Sequence, residues 1–201
     1  RRRRRNGRGG SGGQGELSVK RDGSLESARL SLQSGTGQIN LPEPWSTSIP
    51  LEKAQGKVDI DGDARQVAVK ELAFKAGPHE AAVSGSIDYR MGEGLNIADA
   101  SVDLTADNVH TEVPGFFEGP VDLEQLHVDA DFDFDALTAK IDDLFIGTQG
   151  GGIRLSGSVA DAERSPAVDV SGAIEPLPFD AFTAIWPLPL AKGAREWVSK
   201  N

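Results

Sequence analysis

Residues 49–87 read IPLEKAQGKVDIDGDARQVAVKELAFKAGPHEAAVSGSI, and residues 121–159 read VDLEQLHVDADFDFDALTAKIDDLFIGTQGGGIRLSGSV. The second stretch repeats the first at a constant offset of 72. Leu51-Glu52 returns as Leu123-Glu124, and Asp59, Asp61, Asp63 and Ala64 return as Asp131, Asp133, Asp135 and Ala136. Leu72 returns as Leu144, and Ser84-Gly85-Ser86 as Ser156-Gly157-Ser158. Where identity is lost the apolar character stays: Ile60 with Phe132, Phe74 with Ile146, Val83 with Leu155, Ile87 with Val159. The match runs without a gap from Ala28/Ala100 to Ile87/Val159. Self-similarity at a fixed period is the mark of a repeat architecture. The copies are expected at about 28–99 and 100–171.

Each copy alternates. Val58 and Ile60 point one way, and Asp59, Asp61 and Asp63 the other. In the second copy Val128, Ala130, Phe132 and Phe134 oppose Asp129, Asp131, Asp133 and Asp135. Period two is strand geometry, with one set on each side of a sheet. In the next strand the phase slips. Val67 and Val69 are odd-numbered, Leu72 and Phe74 even; Ala139 and Ile141 are odd, Leu144 and Ile146 even. One extra residue is a β-bulge, expected at Lys70-Glu71 and at Asp142-Asp143. A bend repeated at one register curves a sheet. The expected fold is all-β: a curved antiparallel meander of repeats around an open groove, with a short C-terminal helical segment. Val58, Ile60, Phe74, Val83, Val102, Leu104, Phe132, Phe134, Ile146 and Leu155 are expected on one concave face. Asp59, Asp61, Asp131 and Asp133 are expected on the convex, wet one.

The remaining chain fits around this unit. Residues 1–15, five arginines and then a Gly-rich run, read as a disordered linker. Glu16–Arg21 and Leu25–Gln33 read as strands around the turn signal Asp22-Gly23. Pro42–Pro50 holds three prolines and Trp45, which argues against a central strand. Ala81–Tyr89, Asp99–Ala106, Ile153–Val159 and Ala167–Ala173 continue the meander, and the β domain spans 16–175. From Pro176 the spacing of Leu177, Phe182, Ile185 and Trp186 is helical; Pro187 stops it, and Ala191–Lys200 restarts a helix. This segment, 176–201, is expected to dock on the apolar face as a cap or junction, through Phe182, Ile185, Trp186 and Trp197.

Composition limits the chemistry. The net charge is −10, and without the five N-terminal arginines 16 basic against 31 acidic residues leave −15. Nucleic acid is not an expected partner of such a body. There is no Cys, hence no disulfide framework and no thiolate site. No apolar run approaches the ~20 residues that span a bilayer. The chain does not begin with Met and stops inside a helical pattern, so it reads as a segment of a longer protein whose anchor lies elsewhere. His79, His110 and His127 fall outside the repeated pattern and have no ligand spacing; they read as surface histidines. The Asp rows are straight, with neighbours ~6.6 Å apart, and do not converge as calcium requires. Neither a phosphate loop nor a nucleophile elbow is present. No catalytic residue, metal or cofactor is therefore assigned.

Phe182–Val198, FTAIWPLPLAKGAREWV, resembles a recurring segment of the AsmA-like proteins of Gram-negative bacteria, more narrowly their YhdP-like, DUF3971-containing branch. The matching residues are Trp186-Pro187, Leu190-Ala191 and Ala194-Arg195-Glu196-Trp197-Val198. The Leu41-Pro42 to Pro50-Leu51 stretch and the repeated Ser-Gly-Ser strands suit the same family. The Arg-rich N-terminus has no counterpart in its pattern. The resemblance implies a periplasmic segment tethered to the inner membrane by an anchor outside this chain. Its apolar face would hold phospholipid acyl chains on their way to the outer membrane, with envelope proteins as further partners and no enzymatic activity. Two rival readings stand beside it: a structural β-repeat spacer with a closed core, and a carbohydrate-active enzyme with convergent carboxylates.

Overall fold

A computed structural model describes residues 12–40, 48–92, 96–160, 167–186, 188 and 193. β1 (Gly12–Val19) precedes the first copy, which is built from β2 (Leu25–Ser34), β3 (Gly37–Asn40), β4 (Ser48–Asp61), β5 (Gln66–Ala76) and β6 (His79–Met91). The second is built from β7 (Ile97–Thr111), β8 (Val121–Asp133), β9 (Thr138–Thr148) and β10 (Gly151–Ala160); β11 (Ala167–Ile174) and the helix α1 (Phe179–Ile185) follow. All eleven strands form one open sheet in the order β1-β2-β4-β5-β6-β7-β8-β9-β10-β11, with β3 also on β4. Every pairing between these strands is antiparallel. The fold is thus the expected curved all-β meander.

The duplication is visible strand by strand. β5 and β9 have the same bounds once the repeat offset is applied, with Leu72 and Leu144 at one position. β2 and β3 together correspond to β7. In the first copy the strand breaks at Gly35-Thr36; in the second it runs on through Asn108, the counterpart of Thr36, which takes a left-handed φ of 52°. Asn is among the non-glycine residues that tolerate this region. The offset does not persist to the end. Val102 stands opposite Ile87, but Val168 opposite Val159, an offset of 66.

Both bulges lie where the apolar phase slips. Val58 faces Val69 while Lys57 faces Glu71, which leaves Lys70 as the extra residue. Ala130 faces Ile141 while Asp129 faces Asp143, which leaves Asp142. Each bulge bends its strand and returns the apolar side chains to one face. The repeated Ser-Gly-Ser also has a geometric cause. A Cβ on Gly85 would stand 2.0 Å from the Asp103 carbonyl oxygen, and one on Gly157 2.1 Å from that of Asp169.

Several expectations are corrected at the strand ends. β1 begins at Gly12, inside the stretch assigned to the linker; Arg1–Ser11 lie outside the described residues. Pro50 belongs to β4 and pairs with Gln38. Its carbonyl accepts from Gly77 N, 2.9 Å, so its missing N–H also points toward the β5–β6 turn and leaves the β3 ladder intact. β4 and β8 stop at Asp61 and Asp133, with Asp63 and Asp135 in the turns. The Asp61 carboxylate accepts from Asp63 N and Ala64 N, both 2.9 Å, and that of Asp133 from Ala136 N, 2.7 Å. Side-chain acceptors that satisfy backbone donors in this way start turns.

The core is thin. Most of the buried apolar residues are alanines, among them Ala28, Ala76, Ala98, Ala100 and Ala130. Val121, Leu123 and Ile185 are the larger ones, and they form a single cluster. α1 supplies Ile185 to it, and Leu177 packs alongside. Phe182 meets Trp186 edge-on at 5.0 Å. Trp197 lies outside the described residues, as does all of the second expected helix, at 191–200, except Gly193.

Candidate functional site

Residues opposite each other in an antiparallel pair share a face. Following the pairs gives rows that cross the whole sheet. One runs Leu30, Val58, Val69, Gly85, Leu104, Val128, Leu144, Leu155. A second runs Leu17, Ala28, Ile60, Val67, Ile87, Val102, Ala130, Ile141, Gly157, Val170. A third holds Leu32, Leu72, Val83, Leu126, Ile146 and Ile153. None of these rows contains a charged residue.

The rows place the expected groove residues. Val58, Leu104 and Leu155 share the first, Ile60 and Val102 the second, Val83 and Ile146 the third. Phe74 lies opposite Ala54 and Ala81, and Phe132 opposite Ala100 and Ala139, on the same face. Phe134 is past the end of β8, in the turn. It is 49% exposed and stacks on Phe132, with centroids 6.2 Å apart and planes 12° apart, so it extends the face at its margin. Leu144, Val69, Ile87 and Ile141 belong to the face too. Their period-two spacing is the signal that identifies them once the bulge is counted.

This face is only half covered. Large side chains along its middle are half-buried, and no large side chain among the described residues is fully buried. At the two edges it is open: Leu17 is 61% exposed on β1, and Val168 61% on β11. Cover exists at one end, where α1, Leu177 and Phe117 lie against Val121 and Leu123.

The opposite face is polar and ion-paired. Lys70 Nζ sits 2.6 Å from Asp59, and this hydrogen bond holds the Asp59 carboxyl below the usual carboxylate range. Ser101 Oγ donates to Asp131, 2.5 Å. Hydrogen bonding to Asp142 raises Lys140 above the usual lysine value. This face is not smoothly convex. A recess of 570 Å3 opens beside Gly56, and one of 540 Å3 beside Asp131 and Lys140. Among the described residues no three His, Asp or Glu side chains gather as a metal ion would need.

The histidines differ from one another. His110 is exposed beside Asp122, 2.6 Å. His127 is part-buried on the polar face, its Nδ1 3.1 Å from Thr105 Oγ1, with Asp103 and Asp143 each 3.8 Å away. His79 is part-buried. It pairs with Ala76 on the apolar side, and its Nδ1 lies 2.8 Å from Thr111 Oγ1.

Among the described residues no helix is long and apolar enough to cross a membrane. Comparison with protein-family models, with curated proteins and with solved structures yields no match.

Proposed function

We propose that this chain is a segment of an AsmA-like envelope protein that shields phospholipid acyl chains along its apolar face and conducts them between the inner and outer membranes. It would work in the periplasm, tethered to the inner membrane by a part of the protein outside this segment. The observation that carries the reading is the set of apolar rows, one of them running from β1 to β11, half-covered and free of charge. At ~4.8 Å per strand, nine spacings give a strip roughly 43 Å long, more than the ~30 Å hydrocarbon core of a bilayer.

The work done is solvation, not bond chemistry. Each CH2 moved from water to this face is worth ~0.8 kcal/mol, so acyl chains are held without a specific polar contact. Because the contact is non-directional, a chain slides from row to row at little change in free energy. Ser, Asp and Lys side chains on the other face keep the sheet wetted.

The cluster of Val121, Leu123 and Ile185 favours the rival, a structural spacer closed by its own side chains. Lipid extraction followed by mass spectrometry on the purified chain separates the two. Co-purifying phospholipid at a reproducible stoichiometry is expected; a lipid-free chain that also takes up none from vesicles overturns the conduit.

A further inference from the structure

At one place on the polar face the two copies differ sharply in bulk. In the second, Phe145 and Arg154 are cross-strand neighbours, and the Arg154 guanidinium lies over the Phe145 ring, 4.9 Å from its centroid. Arg154 is ion-paired with Asp143. The ring lies over Gly147 and Gly152, where an added Cβ would come within 2.8 and 2.6 Å of it. In the first copy the corresponding neighbours, one repeat earlier, are Ala73 and Ala82. Ring and guanidinium are both cut back to a methyl group.

The space they would fill is the 570 Å3 recess. Ala73 and Ala82 floor it; Gln33, Gln55, Lys57 and Glu71 are among its walls. Glu71 holds the place of Asp143, the carboxylate that pairs with Arg154 in the second copy. Among the described residues Glu71 makes no ion pair within 4 Å. Lys57 is its cross-strand neighbour.

We propose that this recess binds a guanidinium group, an arginine side chain either free or carried on a peptide. The second copy holds such a group on a carboxylate; the first keeps the carboxylate and leaves out the arginine. Guanidinium matches a carboxylate as a planar two-point fork, and Gln and Ser oxygens accept its remaining N–H groups. The flat cation lies over the two alanines, where an ammonium finds neither the fork nor the area. Lys57 opposes it by charge.

The test is an NMR titration of the full chain with N-acetyl-argininamide and, in parallel, N-acetyl-lysinamide. Saturable shifts at the Ala73 and Ala82 amides are expected, with at least tenfold preference for the arginine probe. Glu71→Gln should weaken it about tenfold and Lys57→Gln tighten it. Ala82→Arg installs the second copy's own occupant and should abolish binding; Ala73→Phe fills the same space if that variant does not fold. No saturable shift, equal response to both probes, or undiminished affinity in a folded filled variant overturns the site.

A further arm identifies the source. Gln33 pairs with Gly12, and the run Arg1–Arg5 precedes Gly12 in the chain. If a chain with Arg1–Arg5 changed to Gln binds the probe more tightly, the site is supported with the chain's own run as competitor. An unchanged affinity supports it with an arginine from outside.

Discussion

Lys70 and Asp142, one repeat apart, are the extra residue of the same bulge in two copies of one unit. Their identities differ in charge, so what is kept is the insertion and not the side chain. Deleting Lys70 would bring Val67, Val69, Leu72 and Phe74 into one unbroken period-two alternation, so β5 would run straight with its apolar residues still on one face. The deletion gives up the bend together with the exposed Lys70–Asp59 ion pair. Lys70→Ala keeps the bulge and gives up only that ion pair. Urea midpoints of both variants should stay near the parent's. A clear fall for the deletion alone would show that the bend itself, and not the apolar phase, is what the insertion supplies.

The docked C-terminal segment has one buried anchor. Ile185 is 7% exposed against Val121 and Leu123, whereas Trp186 is half-buried and meets Phe182. Ile185→Ala should cost about 2–5 kcal/mol, as other buried aliphatic truncations do. Trp186→Ala should cost less, although it removes the larger side chain. Thermal denaturation that ranks the two the other way would mean that the aromatic pair, and not the aliphatic cluster, holds the segment down.

Acid sensitivity should localise to the polar face. Asp59 is lowered from an ordinary value of 3.8, first by its hydrogen bond with Lys70. Asp22 is lowered from the same value, first by its hydrogen bond with Ser24. A depressed folded value contributes stability that is fully present above the unfolded value and is lost as pH falls through the folded one. Asp59→Asn should therefore lower stability at neutral pH and flatten its decline below about pH 4. Lys140 has the opposite sign. Raised from 10.5 by Asp142, its contribution is intact at neutral pH and lost as pH climbs past that value. Denaturation midpoints measured from pH 2 to 7 in parent and Asp59→Asn check the acid side.

Much of this architecture was legible because the apolar period carries it. The phase slip after Val69 located the bulge, and the match between the two copies located its twin. Phe134 falls past the end of its strand because alternation continues beyond Asp133, while the Asp133 side chain has already turned the chain. The contact between His79 and Thr111 was not legible, because nothing local in the sequence puts Thr111 beside it; strand pairing does. Helical spacing could not tell whether Ile185 or Trp186 faces the sheet, since a helix this short does not set its own phase. The recess was invisible for a similar reason. Ala73 and Ala82 each sit in ordinary alternation, and only the register of β5 on β6 makes them neighbours.

The assignment of faces can be tested where two neighbours in sequence point opposite ways. Leu104 stands in the first apolar row between Gly85 and Val128, and Asp103 stands in the polar row between Ser86 and Asp129. Phe132 and Asp131 are a second such pair, in β8. A photo-crosslinking phenylalanine analogue at Leu104 or Phe132 should capture phospholipid in Gram-negative cells that produce the chain. The same analogue at Asp103 or Asp131 should capture little. Both pairs lie on interior strands, β7 and β8, so a lipid that merely adsorbs to an edge strand of the sheet would label neither apolar position. Capture at Asp103 and Asp131 with none at Leu104 and Phe132 would move the lipid to the polar face. Capture at none of the four, with the chain folded and abundant, would leave the apolar rows as the lining of a spacer.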